Sequence, residues 1–262
     1  MKVAILCGGK GTRLRELTGV LPKPLVEIGG KPILWHIMKI YSYYGFNDFI
    51  LCLGYKGEMI KEYFMNQADW RYNDFILDFK SKKHEIIYKA NNYKVKHEDW
   101  KITFVDTGQE TNTGGRIKKI EEYIGGDDFF VTYGDGLSDI DLNKLLDFHK
   151  KNKKIATITC VNPPSQFGVV EINEEGIITK FEEKPLLNQW ISGGFFVFNK
   201  RIFDYIREND ILEKEPFEKL AKERQAIAYK HKGFWKCMDT YKDTRVLNEL
   251  WKNNKAYWKK WS

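Results

Sequence analysis

The segment Gly8-Gly9-Lys10-Gly11-Thr12-Arg13 carries residue types that bind an anion. Glycines let backbone N–H groups approach phosphate oxygens with no Cβ in the way. Thr12 adds a hydroxyl and Arg13 a charged donor fork. The spacing excludes two familiar phosphate loops. Gly9-Lys10 is followed by Gly11 and Gly30-Lys31 by Pro32, so neither completes G-x-x-x-x-G-K-[ST]. Position 14, where a dinucleotide fingerprint needs its third glycine, is Leu14. A glycine-rich turn alone is equally compatible with a tight turn. Lys23 stands between Pro22 and Pro24, which restrict the backbone around its charge. Such a lysine neutralises a triphosphate or caps a rigid surface turn.

Two aspartates are candidates for chemistry. Asp135 lies between Gly134 and Gly136 just past an apolar run, a strand-end position from which a carboxylate can face a ligand crevice. Asp239 precedes a helical pattern that starts at Thr240, where an aspartate more commonly caps the helix. Periodicity cannot pair carboxylates so far apart. Arg116 follows Thr113-Gly114-Gly115 at a predicted helix start, which favours anions. Glu183-Lys184 precedes Pro185 on a turn, where such a pair is ordinarily solvated surface. Histidine and cysteine are not spaced as a zinc site, and His36, inside a helical pattern, reads as structural.

The elements that must position these residues alternate. Strands are expected at Val3–Leu6, Phe49–Leu53, Ile102–Val105, Phe129–Tyr133 and Ile155–Cys160, with helices at Pro32–Tyr44, Glu58–Phe64, Gly115–Ile124 and Asp141–Lys151. That order predicts an α/β fold: a Rossmann-like mixed, mainly parallel sheet flanked by helices, with ligands at the carboxyl ends of its strands. The second half reads as a β-rich C-terminal elaboration, with strands near Gly168–Ile172, Ile177–Phe181, Phe195–Phe198 and Ala226–Tyr229 and helices at Pro216–Glu223 and Thr240–Trp251. No linker interrupts the chain, so a single domain over 1–262 is expected. The stretch Trp70–Asp99 reads as an insertion or hairpin.

Of the 262 residues 42% are hydrophobic and 15% aromatic, enough for a buried core and against global disorder. The net charge of +7 is spread over short lysine clusters among acidic residues, a solvated surface rather than a nucleic-acid stripe. The four cysteines form no C-x-x-C pair; Cys7, Cys52 and Cys160 fall in apolar runs and read as buried reduced thiols of a cytoplasmic protein. No charged leader precedes the first strand, and no apolar run approaches the ~20 residues that span a bilayer.

G-G-x-G-T-R-L followed by P-K-P-L resembles the signature of the sugar nucleotidyltransferase family. Longer runs extend the resemblance to its cytidylyltransferase members: Glu27 to Lys39, Gly54-Tyr-Lys-Gly57, Val105-Asp-Thr-Gly108, Thr113-Gly-Gly-Arg116, Tyr133-Gly-Asp-Gly136, Gly193-Gly-Phe-Phe-Val197 and Met238-Asp-Thr240. The resemblance implies the nucleotide-diphospho-sugar transferase fold. Residues 1–160 would form a nucleotide-binding half, and 161–262 a sugar-phosphate-binding and oligomerisation half. It implies transfer of a cytidylyl group from CTP to a sugar 1-phosphate, α-D-glucose 1-phosphate first, giving CDP-glucose and pyrophosphate, with a different phosphorylated acceptor, or dTTP or UTP as donor, as the alternatives. It also implies a homo-oligomer, with neither nucleic acid nor membrane as partner.

Carried onto this sequence, Leu6, Gly8, Gly9, Lys10, Gly11, Thr12, Arg13, Lys23, Thr107, Thr111 and Gly134 would contact the nucleotide. Arg116, Glu183, Lys184, Ser192 and Gly193 would contact the sugar phosphate, and Asp135 and Asp239 would hold Mg²⁺. Arg13, Lys23, Asp135 and Lys184 would be catalytic. Ser192-Gly193-Gly194 departs from the Asn-Gly-Gly usual in glucose-specific members. Serine is shorter and lacks the amide's paired donor and acceptor, which leaves the acceptor open.

Overall fold

Residues Lys2–Leu6, apolar at successive positions, form the strand from which the sheet is built outward. The computed structural model describes residues 1–14, 19–66, 74–78, 80, 83–87, 98–165, 167–186 and 189–261. Seven strands make the main sheet, in the order Ala226–His231, Ala156–Val161, Ile191–Asn199, Asp128–Tyr133, Lys2–Leu6, Asp48–Leu53, Lys101–Asp106. Ile191–Asn199 runs antiparallel to both neighbours, and the other pairs are parallel. The mixed, mainly parallel α/β sheet expected from the alternation is therefore present.

Both faces of the sheet are covered, which explains why its strands read as continuous apolar runs. Val3 and Ile5 point into one core layer with Ile33, Leu34 and Ile37 of the helix Ile33–Tyr43 and Leu247 of Tyr241–Lys252. Ala4 and Leu6 point into the other, with Ile117 of Thr113–Lys118 and Leu220 of Glu215–Lys222. Among the described residues no helix is long and apolar enough to cross a membrane.

Several expected elements are redrawn. Of the β-rich C-terminal part, the strands Ile191–Asn199 and Ala226–His231 pair into the central sheet. What stands apart is the hairpin Val169–Ile172 with Ile178–Glu182, exposed along its whole length. The helix expected at Gly115–Ile124 ends at Lys118 and gives way to a 3-10 turn at Glu121–Tyr123. Gly114 and Gly115 weaken so short a helix, and from Ile120 the hydrogen bonds tighten to i→i−3. Asp74–Asp78 pairs antiparallel with Lys83–Ile87, a hairpin inside the ambiguous stretch; residues 67–73, 79, 81–82 and 88–97 lie outside the described residues.

The chain lays strands on one side of Lys2–Leu6 as far as Lys101–Asp106, then returns to place Asp128–Tyr133 on its other side. The connections leaving these two neighbours head in opposite directions, opening a crevice at their carboxyl ends. The loop Cys7–Gly11 and the segment Gly134–Asp135 follow directly from those ends.

Candidate active site

Cys7 continues the strand by donating its N–H to Cys52 O at 3.0 Å, and the chain then turns away at Gly8. Gly8 O accepts from Tyr55 N at 3.1 Å and from Arg116 Nη2 at 3.0 Å. A Cβ on Gly8 would lie 2.0 Å from Arg116 Nη1, so the glycine is required by this guanidinium packed against it. Gly11 takes φ +59°, and Leu14 N closes the turn on Gly11 O at 2.9 Å. Gly9 has open space around it, which leaves backbone accessible to a ligand.

Arg116 is 4% exposed. It donates to Leu53 O, Gly108 O, Gly8 O, Gln109 O and Thr107 Oγ1, at 2.7–3.3 Å. Those oxygens come from the ends of three strands, so one side chain ties the glycine loop to its neighbours. Carbonyl and hydroxyl dipoles solvate the charge without cancelling it, and it stays available as field beside the loop.

The crevice is a cleft of about 330 Å³. It is lined by Leu6, Gly8, Gly9, Gly11, Thr12, Lys23, Arg116, Gly134 and Asp135, with Cys7, Pro24, Thr113 and Tyr133. Lys23 opens a 3-10 turn, Lys23–Leu25, entered through Pro22 and closed by Val26 N on Lys23 O at 3.1 Å. Its ammonium donates to Asp135 Oδ2 at 2.6 Å and Asp239 Oδ1 at 2.7 Å. A two-stranded ladder brings the aspartates together: Gly136–Ser138 pairs with Trp235–Cys237, and Met238 N donates to Asp135 O at 2.9 Å. Asp239 is not the helix cap. Thr240 is, in a capping box with Asp243, and this leaves the Asp239 carboxylate to face Lys23.

Burial works against the charge on Lys23, but Asp135 and Asp239 outweigh it and raise its pKa above the usual lysine value. Cys237 is the third member of the cluster: a thiol sulfur and one oxygen from each carboxylate lie within 4.8 Å of one another. Burial, then the negative charge of Asp135, push the Cys237 thiol well up.

The sequence profile described as nucleotidyl transferase matches residues 2–260. The chain belongs to this family. It is 46% identical to a probable glucose-1-phosphate cytidylyltransferase of Bacillus subtilis and 47% identical to a glucose-1-phosphate cytidylyltransferase of Salmonella typhi, over the full length of each pair. A crystal structure of HddC from Yersinia pseudotuberculosis complexed with GMP-PN superposes with a TM-score of 0.68, covering 95% of this chain and 99% of that one at 23% identity.

In this nucleotidyl transferase the expected nucleotide contacts divide. Most line the cleft, but Lys10 is exposed and paired with Glu110 at 2.6 Å. Thr107 is fully buried, donating to Leu53 O at 2.6 Å and accepting from Arg116, so its hydroxyl holds the arginine. Thr111 lies beside Gly108 and Lys119, outside the cleft lining. Arg13 belongs to the 3-10 turn Thr12–Leu14, but its side chain lies outside what is described. Of the expected sugar-phosphate residues only Arg116 lines the cleft. Glu183 and Lys184 are exposed at the end of the hairpin and pair with each other at 2.9 Å. Ser192 and Gly193 begin the antiparallel strand, where Gly193 O accepts from Trp235 Nε1 at 2.7 Å.

Sequence reasoning missed Cys237, Tyr133, Thr113 and Glu213. Tyr133 OH donates to Glu213, and Thr113 Oγ1 donates to the same carboxylate at 2.7 Å. Burial, then Glu213, raise the tyrosine pKa. No spacing signal connects these residues. Cys237, two positions before Asp239, was findable, as were Tyr133 and Thr113, which stand in the motifs that carry Asp135 and Arg116. The donor set suits a divalent cation: two carboxylates and a thiol converge, and an ammonium is already clasped by the carboxylates.

Proposed function

We propose that the chain transfers a cytidylyl group from CTP to a sugar 1-phosphate, with α-D-glucose 1-phosphate as first choice, giving CDP-glucose and pyrophosphate. The observation that carries the reaction class is the Lys23 ammonium held between Asp135 and Asp239, with Lys23 and Asp135 lining the glycine-loop cleft. The names of the two full-length relatives support CTP and glucose 1-phosphate as the pair.

A phosphate oxygen of the acceptor attacks the α-phosphorus in line, the bridging bond to the β-phosphate breaks, and pyrophosphate leaves. The acceptor phosphate is already ionised near neutral pH, so no side-chain nucleophile is required. Positioning and charge stabilisation remain for the protein to supply. Backbone N–H groups of the Gly8–Gly11 loop and the Thr12 hydroxyl bind the triphosphate, together with Arg13. Lys23 turns from the carboxylates to the phosphates when nucleotide enters. Asp135 and Asp239 would hold Mg²⁺, which would supply neutralisation of the phosphate charge. Gly134 keeps the strand end packed against the first strand at the cleft, since a Cβ there would lie 2.9 Å from Leu6 O, and its backbone would contact the nucleotide. Lys184 takes the incoming sugar phosphate, Glu183 the sugar hydroxyls, and Ser192-Gly193 the far edge of the sugar. The exposed apolar hairpin suits assembly with further copies of the chain. The free thiols suit a cytoplasmic setting.

The test is pyrophosphate release over a matrix of CTP, dTTP, UTP and GTP against several sugar 1-phosphates, with wild type and Ser192→Asn. CTP with glucose 1-phosphate should give the highest kcat/KM by about tenfold or more. A different winning pair reassigns the substrates. Nucleotide binding without pyrophosphate release from any pair would make the chain a binding module.

A further inference from the structure

The carboxylate pair proposed for Mg²⁺ has a neighbour that Mg²⁺ does not use. Cys237 pairs with Gly136 in the short ladder, one residue from Asp135, and lies two residues before Asp239. Its sulfur and one oxygen from each aspartate lie within 4.8 Å of one another. Cys237 lies in the ladder itself, and the backbone bond from Met238 N to Asp135 O and the capping box at Thr240 fix Asp135 and Asp239 just beyond its ends. The Lys23 ammonium lies 2.6 and 2.7 Å from the two carboxylates, so the pair already holds a positive charge between them.

Magnesium takes oxygen ligands, whereas zinc and cadmium take thiolate together with carboxylate, commonly with three protein ligands and an open position. We propose that Asp135, Cys237 and Asp239 form a binding site for thiophilic divalent cations of the zinc and cadmium class, with Cys237 Sγ as the third ligand. This rests on the assignment of the two aspartates as metal ligands. On binding, the Cys237 S–H bond breaks, its proton passes to solvent, and a sulfur–metal bond forms. The Lys23 ammonium is displaced from between the carboxylates. One protein therefore holds a hard and a soft cation at the same carboxylates, and the soft one competes with catalysis.

The test titrates the reduced full-length chain with Cd²⁺ under anaerobic conditions. The readouts are the ultraviolet sulfur-to-cadmium charge-transfer band and, separately, Mn²⁺ binding by electron paramagnetic resonance. Wild type and Cys160→Ser should develop the band. Cys237→Ser and Cys237→Ala should lose it, with Cd²⁺ affinity lowered by about tenfold or more and Mn²⁺ affinity changed by less than about threefold. Retained Mn²⁺ binding also shows that the variants fold. A band that survives in both Cys237 variants, or never forms in wild type that still binds Mn²⁺, overturns the thiol ligand and leaves the carboxylate pair standing. A wild-type chain that binds no Mn²⁺ overturns the carboxylate pair, and this inference with it.

Discussion

Lys23, Asp135 and Asp239 are each ordinary residues in sequence and become a site only through their mutual distances. Asp135→Asn keeps the shape and a hydrogen-bond acceptor but removes a charge, so Lys23 keeps Asp239 and the strand end keeps its backbone bonds. We expect kcat to fall by about a hundredfold or more, with an unchanged near-ultraviolet circular dichroism spectrum. Steady-state kinetics at saturating Mg²⁺ checks this; turnover near wild type would remove the metal assignment. At this scale the sequence was partly legible. Lys23 and Asp135 stood out because prolines and glycines frame them. Asp239 looked like a cap, and only the structure gives that role to Thr240, one residue later.

The C-terminal segment shows how elements are held by one neutral ring. His36, in the helix Ile33–Tyr43, is fully buried and packs edge-on against Trp35, Trp251 and Trp258. Its Nε2 lies 2.7 Å from Ile28 O, and Trp258 Nε1 donates to its Nδ1 at 3.3 Å. A second ring proton would leave the Trp258 donor facing another donor. Burial, the largest cause, depresses the His36 pKa from 6.5 to about 4, although the bond to Ile28 O opposes it. The unfolded chain therefore binds more protons across that window. The stability from neutral His36 is present in full above pH 6.5 and is lost as pH falls toward about 4. The loss is about 3 kcal/mol at most. Tm should fall more steeply on acidification in wild type than in His36→Gln, narrowing the gap between them. Melts followed by tryptophan fluorescence at three pH values test this, and a constant gap would place the acid sensitivity elsewhere. The helix around His36 was readable from its apolar spacing; its partners Trp251 and Trp258, more than 200 residues away, were not.

For the whole molecule the exposed hairpin sets the expectation. Ile172, Ile178 and Phe181 are 60%, 59% and 64% exposed. A two-stranded ribbon alone is marginally stable, so large apolar side chains on it call for a covering surface. If that surface is another copy, light scattering should give a multiple of 30.9 kDa. Phe181→Glu should shift the mass toward a single chain. A wild-type monomer at micromolar concentration would withdraw the assembly proposal.

Local pattern determined the alternation of strands and helices, the glycine loop at the end of the first strand, and the buried apolar runs. Each depends on residues within a few positions of one another, through periodicity, backbone restriction and burial on both faces. Tertiary structure decided what meets at the crevice. It sent the chain back across Lys2–Leu6 and spent Arg116 on backbone oxygens. It also placed Asp239 and Cys237 against Asp135 through a three-residue ladder. Those contacts span about a hundred residues, and no spacing rule reaches that far, because strand pairing and core packing bring the segments together.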